Sequence, residues 1–219
     1  MMSEKEFEEK YPFRFLEATE VIEKLKHLPR TGWLQWDISQ ADAETVFEHT
    51  QAARKMAVSY KDQLGLSDDE LKELIDMIEI HDWPEALVGD GVILGDEEDV
   101  EKLRAHKKAR ELEAMATICD SLPDGAHILS LYVRYANGDD KLAKLTKQIE
   151  KLQAVFKAVE YENKYKKVGL TKEFIHYTKD LIHDSFLQTE MKAAASQLLP
   201  VALFFSTFSS AMISVLFII

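Results

Sequence analysis

His81 and Asp82 stand side by side at the end of a strongly helical stretch, Ser67-Asp-Asp-Glu-Leu-Lys-Glu-Leu-Ile-Asp-Met-Ile-Glu-Ile-His81-Asp82. A neutral imidazole and a carboxylate are natural ligands for a hydrolytic divalent cation. The dipeptide alone is common and means little. Here it has company, because His49 lies upstream in Glu44-Thr-Val-Phe-Glu-His49-Thr and an acid is available on a late helix. One histidine on an early helix, His-Asp at the end of the next and that acid can surround one cation. Such a cation brings a water toward deprotonation beside an electrophilic phosphorus. The chemistry needs neutral histidines and ionised carboxylates. A lone histidine on a helix is more often structural, so the joint order of these residues carries the idea.

Glu85 follows Asp82 by three residues and His81 by four, which puts all three on one side of a continuing helix. A carboxylate there could move protons as acid or base. Its bland reading is a first-turn glutamate after Pro84, suited to the helix dipole. Asp90 after Gly89 is either a site residue or a turn residue bonding its own backbone. Lys107, Lys108 and Arg110 could meet a phosphate, although a solvated helix face is the commoner role for such a cluster. Cys119 is the only cysteine. It has no activating partner in sequence and reads as a small core residue. It allows no intramolecular disulfide, which suits a reducing, cytoplasmic setting.

The elements that must position these residues are helical. Apolar positions recur at helical spacing over Phe15 to Lys26, and Pro29-Arg30-Thr31-Gly32-Trp33 stops that run. Leu34 to Ala43 reads as a connection and Glu44 to about Gln63 as a helix. Ser67 with Glu70 forms a capping box. Leu71, Leu74, Ile75, Ile78 and His81 then share one stripe, so His81 faces inward. Asp90 to Asp99 reads as an acidic loop. Further helices cover Leu103 to Leu122, Ala126 to Ala136, Asp139 to about Tyr165, and Thr171 to about Leu187. No alternating strand pattern and no glycine-rich phosphate loop appear. The expected fold is an all-α bundle of six to eight helices.

The chain has 219 residues, enough for one domain with a real core. The divisions read from sequence are an N-terminal extension (1–14), a helical domain (15–190) and an apolar tail (191–219). The net charge of -12 argues against a nucleic-acid polymer as partner. A small anion is still acceptable where a metal and local cations hold it. The N-terminus is charged and lacks the apolar run of a secretory signal. Ala193 to Ile219 carries no charged side chain. At about 1.5 Å per residue, Leu198 to Ile219 is long enough to cross a bilayer core of roughly 30 Å. A membrane tether and a packed, non-spanning tail are both open, and the flanks carry no positive cluster.

Four stretches together resemble the HD-domain metal-dependent phosphohydrolases, and more closely their 5′-deoxynucleotidase branch. They are Leu25-Lys-His-Leu-Pro-Arg30-Thr-Gly-Trp33; Glu44-Thr-Val-Phe-Glu-His49-Thr; Ile80-His81-Asp82-Trp-Pro-Glu85-Ala-Leu-Val-Gly89-Asp90; and Lys147-Gln-Ile-Glu150-Lys-Leu-Gln-Ala-Val-Phe-Lys-Ala-Val-Glu-Tyr-Glu162. The resemblance spans about Phe15 to Leu187, and its first three blocks are specific as an ordered set. It implies His49, His81 and Asp82 as ligands of one divalent ion, which could be cobalt, manganese, magnesium or another. The fourth ligand of the pattern is an aspartate, and Glu150 holds its place here. That departure lengthens the arm by a methylene, and a misplacement near 1 Å can be costly to rate. The bland reading of Glu150 is a solvated glutamate between Lys147 and Lys151.

The resemblance further implies that Glu85 assists the attacking water or the leaving oxygen, and that Asp90 lies near the substrate sugar. Arg30 and Trp33 match its substrate-facing pair. An arginine can fork onto a phosphate, and a tryptophan edge against the sugar could exclude a 2′-hydroxyl. Without the resemblance, Trp33 would read as a core aromatic and Arg30 as a helix-terminal cation. Two further departures are Gly91-Val92-Ile93 after Asp90 and a slightly long connection from Leu34 to Glu48. The implied activity is hydrolysis of deoxyribonucleoside 5′-monophosphates by a homodimer. The rivals are an HD hydrolase of another nucleotide phosphoester and a degenerate, non-catalytic HD nucleotide-binding module.

Overall fold

The computed structural model describes residues 3–15, 17–91 and 100–198. Most of the acidic loop after Asp90 and most of the apolar tail lie outside these residues. Among the described residues there are eleven helices and no strand. They are α1 (Glu4–Lys10), α2 (Thr19–Lys26), α3 (Thr31–Leu34), α4 (Val46–Ser59), α5 (Asp68–Ile80), α6 (Glu85–Val88), α7 (Val100–Cys119), α8 (Gly125–Asn137), α9 (Lys141–Tyr165), α10 (Leu170–Thr178) and α11 (Ser185–Ala195). All-α architecture follows the sequence pattern, but the segments are more numerous than expected. The additions are α1, the one-turn helices α3 and α6, and a break inside the expected helix from Thr171 to Leu187.

That break has a tertiary cause. Gln148 on α9 accepts hydrogen bonds from the backbone N–H of His183 at 2.6 Å and of Asp184 at 2.8 Å. Asp184 then caps α11 by accepting from Phe186 and Leu187 N–H groups. Backbone donors that a continuous helix would use internally are satisfied from outside it.

The centre of the bundle is α9, 25 residues long. It packs against α4, α5, α8, α10 and α11. Ala143, Ile149, Leu152, Val155 and Ala158 on it are completely buried, and small and β-branched residues interleaved with leucine let several helices approach one axis. Against it lies α5, buried from Leu74 through Ile80. Ser67 and Glu70 form the expected capping box on α5, and Thr45 and Glu48 form another on α4. These two helices therefore start at fixed residues, which sets where His49 and His81 fall.

Burial of α5 on nearly all sides includes two acids, Asp76 and Glu79, at 5% and 1% exposure. Each has an arginine. Arg14 pairs with Asp76 through its side chain and donates its backbone N–H to Glu79 at 3.0 Å. Arg54 of α4 reaches Glu79 at 3.1 Å and Glu8 at 3.7 Å. It also donates to the Tyr11 carbonyl and lies over the Phe13 ring at 4.3 Å. Residues before 15, set apart as an extension in the sequence, are thus anchored to the back of α5. At the other end, Met191 and Ala194 of α11 are buried in the main core, so packing continues beyond residue 190. No described helix is long and apolar enough to cross a membrane.

Candidate metal centre

His81 is the C-cap residue of α5 and continues its apolar stripe inward, with 4% exposure. Its Nδ1 donates to the Ile78 carbonyl at 2.6 Å. A carbonyl only accepts, so Nδ1 carries a proton and Nε2 is left for the site. His49, on the facing side of α4, is 1% exposed. Its Nδ1 bonds the Gln153 side-chain oxygen. Gln153 in turn donates its Nε2 to Glu44 at 2.7 Å, which fixes which way the amide points. Both imidazoles are thereby held by their outer nitrogens, the arrangement that ligating histidines use.

Asp82 follows His81 and is the exposed member, with 19% of its side chain open. One ligand atom from each of His49, His81 and Asp82 lies within 4.8 Å of the others. The rings of the two histidines are 5.5 Å apart. His81 Nε2 is 3.0 Å from Asp82 Oδ2 and 3.2 Å from Glu150 Oε2, yet this buried nitrogen has no hydrogen-bond partner of proper geometry. A divalent cation would answer this orphaned atom, and the donor set of imidazole and carboxylate suits one.

The electrostatics agree with that fit. Burial, and then the Arg30 cation, hold His49 well below its ordinary pKa, so it stays neutral. Burial also acts to lower His81, but Asp82 and Glu150 outweigh it and raise the pKa. A proton and a cation compete for that nitrogen. Burial would push Asp82 up, yet His81, Arg30 and His49 together hold it well below the usual carboxylate range. Glu85, on the first turn of α6, behaves oppositely. Burial, then the charges of Asp82 and Asp90, push it up to about 10. Two carboxylates three residues apart are thus driven to opposite protonation states.

The bland reading of Glu150 as a solvated residue is incorrect, because it is 5% exposed. It stands outside the tight group of three, and its Oε2 approaches His81 from α9. That same oxygen accepts from Tyr135 Oη at 2.7 Å.

Arg30 is brought to the site by a two-residue staple, while Trp33 packs in a second core cluster with Tyr161 and Leu170, as a core aromatic would. The Pro29–Thr45 bridge pairs Arg30 N–H with the Glu44 carbonyl and Val46 N–H with the Leu28 carbonyl, each at 2.9 Å. The start of α3 is thus tied to the start of the helix that carries His49. Arg30 faces Asp82, Glu44, Asp90 and Glu85, whose charges raise its pKa against the effect of burial. Its Nη1 is buried without a partner. Trp33 is 1% exposed, stacked on Phe174 at 4.5 Å and edge-on to Tyr161 at 5.1 Å. Its indole N–H favours the charged form of Glu44, although the two make no well-directed hydrogen bond. Asp90 accepts from Thr31 N–H at 2.5 Å, and its carbonyl accepts from Thr31 Oγ1 at 2.6 Å. One Asp90 oxygen is therefore committed to fastening α3.

Some residues at the site carried no sequence signal of their own. Glu44, Gln153 and Tyr135 are polar positions on helices whose role depends on a distant partner. Lys107 was read with its neighbours as a solvated face. Lys108 fits that reading by bonding Asn137 at 3.1 Å. Lys107 instead donates to the Gly91 carbonyl at 2.8 Å and pairs with Glu111 at 3.2 Å. Burial acts to lower it, but Glu111, Glu85 and Asp82 raise it overall. Cys119 is buried, with its thiol pushed up to about 11 by burial, and is an inert core residue as expected.

An all-helical bundle that brings a His and a His-Asp pair into one cluster able to hold a metal ion defines a class of metal-site domain. The chain belongs to the HD domain family, whose model matches residues 22–189. It is 31% identical over 170 residues to the 5′-deoxynucleotidase HDDC2 of Danio rerio, covering 77% of this chain and 80% of that protein. The Homo sapiens protein of the same name is 28% identical over 165 residues, covering 74% of this chain and 76% of its own. In fold, the chain is similar to a Pyrococcus horikoshii protein with a TM-score of 0.63 at 21% identity, covering 83% of this chain and 99% of that one. A predicted metal-dependent phosphohydrolase from Magnetospirillum magnetotacticum gives a TM-score of 0.56 at 22% identity, covering 91% of this chain and all of that one.

Proposed function

We propose that this protein is a divalent-metal-dependent 5′-deoxynucleotidase that hydrolyses deoxyribonucleoside 5′-monophosphates to a deoxynucleoside and phosphate. The observation that carries the reading is the His49–His81–Asp82 cluster, two buried histidines and a partly open aspartate, with an unpartnered His81 Nε2. The names of the relatives support the substrate class. His49, His81 and Asp82, with Glu150, would hold the ion, whether cobalt, manganese, magnesium or another. When bound, it supplies Lewis acidity toward phosphoryl oxygen and water.

The remaining work falls to the chain. Arg30 meets the phosphate with its unpartnered Nη1, and its guanidinium can take two phosphate oxygens at once. Glu85 is the acid beside Asp82 whose carboxyl burial and the charges of Asp82 and Asp90 push up, to about 10 without a cation. It would take the proton of the water whose oxygen bonds phosphorus, or give a proton to the 5′-oxygen as the P–O5′ bond breaks. Trp33, buried between Phe174 and Tyr161, gives the wall behind Arg30 its fixed shape, and exclusion of a 2′-hydroxyl by that wall belongs to the same proposal. Asp90 keeps α3 in place and has a second oxygen free of the Thr31 N–H bond for the sugar.

Turnover of deoxyribonucleoside against ribonucleoside monophosphates, with and without added divalent ions, tests the reading. Metal-dependent release of phosphate from the deoxy substrates is expected. Hydrolysis of triphosphates alone would favour another HD phosphoesterase, and no turnover with any ion would favour a non-catalytic module. A homodimer belongs to the same proposal, and sedimentation equilibrium at twice the 25.1 kDa chain mass tests it. A cytoplasmic location with tethering by the tail is tested by fractionating the full chain beside a chain ending at residue 198. Equal partitioning of the two would remove the tether.

A further inference from the structure

Glu150 must bring a carboxylate to a place that the family pattern fills with the shorter aspartate. Glutamate has one more rotatable bond, so its carboxylate sweeps a larger volume, and an unrestrained arm is a poor ligand. The structure restrains it from two sides. Glu150 Oε2 accepts from Tyr135 Oη at 2.7 Å and lies 3.2 Å from His81 Nε2. The other oxygen faces Lys151 at 3.5 Å. One lone pair of Oε2 is occupied by the phenol, and another is left toward His81.

The phenol is itself held. Its ring meets the His81 ring edge-on at 5.7 Å, and Lys147 Nζ lies over it at 5.3 Å. Lys147 is anchored by donating to the Ala136 carbonyl at 2.9 Å. The α8–α9 corner that sets Tyr135 against Glu150 turns at Gly138, whose φ is +70°, and left-handed backbone there favours glycine. Arg134 locks that corner by pairing with Glu73 and with Asp140, the N-cap of α9. Ring, corner and helix start are therefore all held by the chain's own contacts.

We propose that Tyr135 is the positioning residue that fits a glutamate to the fourth-ligand place, by holding Glu150 Oε2 against His81. This rests on the metal reading above. Its test is the binding of Co²⁺ to the full chain, followed by visible absorption, with the melting temperature of the metal-free protein read first. Tyr135→Phe keeps the ring and removes only the hydroxyl. It is expected to melt with the wild type and to bind Co²⁺ about ten- to a hundredfold more weakly, the usual loss when a ligand's partner is removed. Glu150→Asp draws the carboxylate away from the phenol, so adding Tyr135→Phe to it is expected to cost little more. Unchanged Co²⁺ affinity in Tyr135→Phe overturns the proposal. An equal loss in the Glu150→Asp background does so too, as does a loss that accompanies collapse of the metal-free fold. A wild type that binds no Co²⁺ would instead remove the metal reading together with this one, so the two failures are distinguishable.

Discussion

At the scale of single residues, the site is a set of opposed assignments made by neighbours. Asp82 and Glu85 are chemically similar, but one faces two imidazoles and Arg30 while the other faces Asp82 and Asp90. The first stays charged and the second keeps its proton. Replacing Glu85 by Gln should lower kcat by about 10²–10⁴-fold while leaving metal content unchanged. A proton carried by Glu85 in turnover would make the wild-type rate fall on the alkaline side, and the variant should lack that limb. Retained kcat in Glu85→Gln would exclude it as the acid. Gln153 shows a second kind of role, since it touches His49 and Glu44 and orients the imidazole. Gln153→Leu should weaken divalent-ion affinity by about ten- to a hundredfold, measured by calorimetry. It should also cost about 1–3 kcal/mol of stability, because buried polar groups lose their partners.

At the scale of elements, α5 is the component under most electrostatic tension. It delivers His81 from a helix buried on nearly every side, and Glu79 is carried inside with it. Burial raises Glu79 to about 7 despite the pull of Arg54. A folded pKa above the ordinary 4.5 means that folding favours the protonated form. The associated stability is present below about pH 4.5 and is lost as pH rises through about 7. Its size is on the order of 3 kcal/mol. Glu79→Gln cannot ionise, so its stability relative to wild type in urea titrations should climb by roughly that amount between pH 4.5 and 8. A flat difference would show that Glu79 does not carry the effect. The same dependence holds for α3, a single turn tied down at its N-terminal end, where Arg30 N–H bonds the Glu44 carbonyl and Thr31 N–H bonds Asp90. So short a helix has no stability of its own, and its position is borrowed from α4 and the Asp90 turn.

At the scale of the whole molecule, the cluster gathers His49 from α4 and His81 and Asp82 from the end of α5, with Glu150 of α9 beside it, and a bound ion would tie those helices together. Linkage then predicts a stability gain of about 2.7 kcal/mol at an ion concentration one hundred times its Kd. For a domain of this size, that corresponds to roughly 5–10 °C in Tm. Scanning calorimetry after chelation and after adding back Co²⁺ or Mn²⁺ should show the shift, and Asp82→Ala should abolish it. An identical Tm with and without every divalent ion would argue against a site that bridges these helices. The acidity of the chain suits this picture, since Asp82, Glu85, Asp90 and Glu44 face Arg30 and Glu150 lies against His81.

The sequence alone determined the helical class, the start of α5 at Ser67, the inward direction of His81 and the order of the His49, His81 and Asp82 donors. These follow from local rules: apolar spacing sets a buried face, and a serine with a glutamate three residues on sets a helix start. Tertiary structure decided what no local rule reaches. It docked residues 3–15 through Arg14 and Arg54, broke the helix at His183 by supplying acceptors from Gln148, and turned Lys107 toward the site while leaving Lys108 outside. It also gave Glu150 its phenol partner and His49 its Gln153–Glu44 chain. The physical reason is common to all of these. A polar side chain carries its chemistry in its own sequence position, but its protonation, tautomer and direction are set by groups that only folding brings within hydrogen-bond distance.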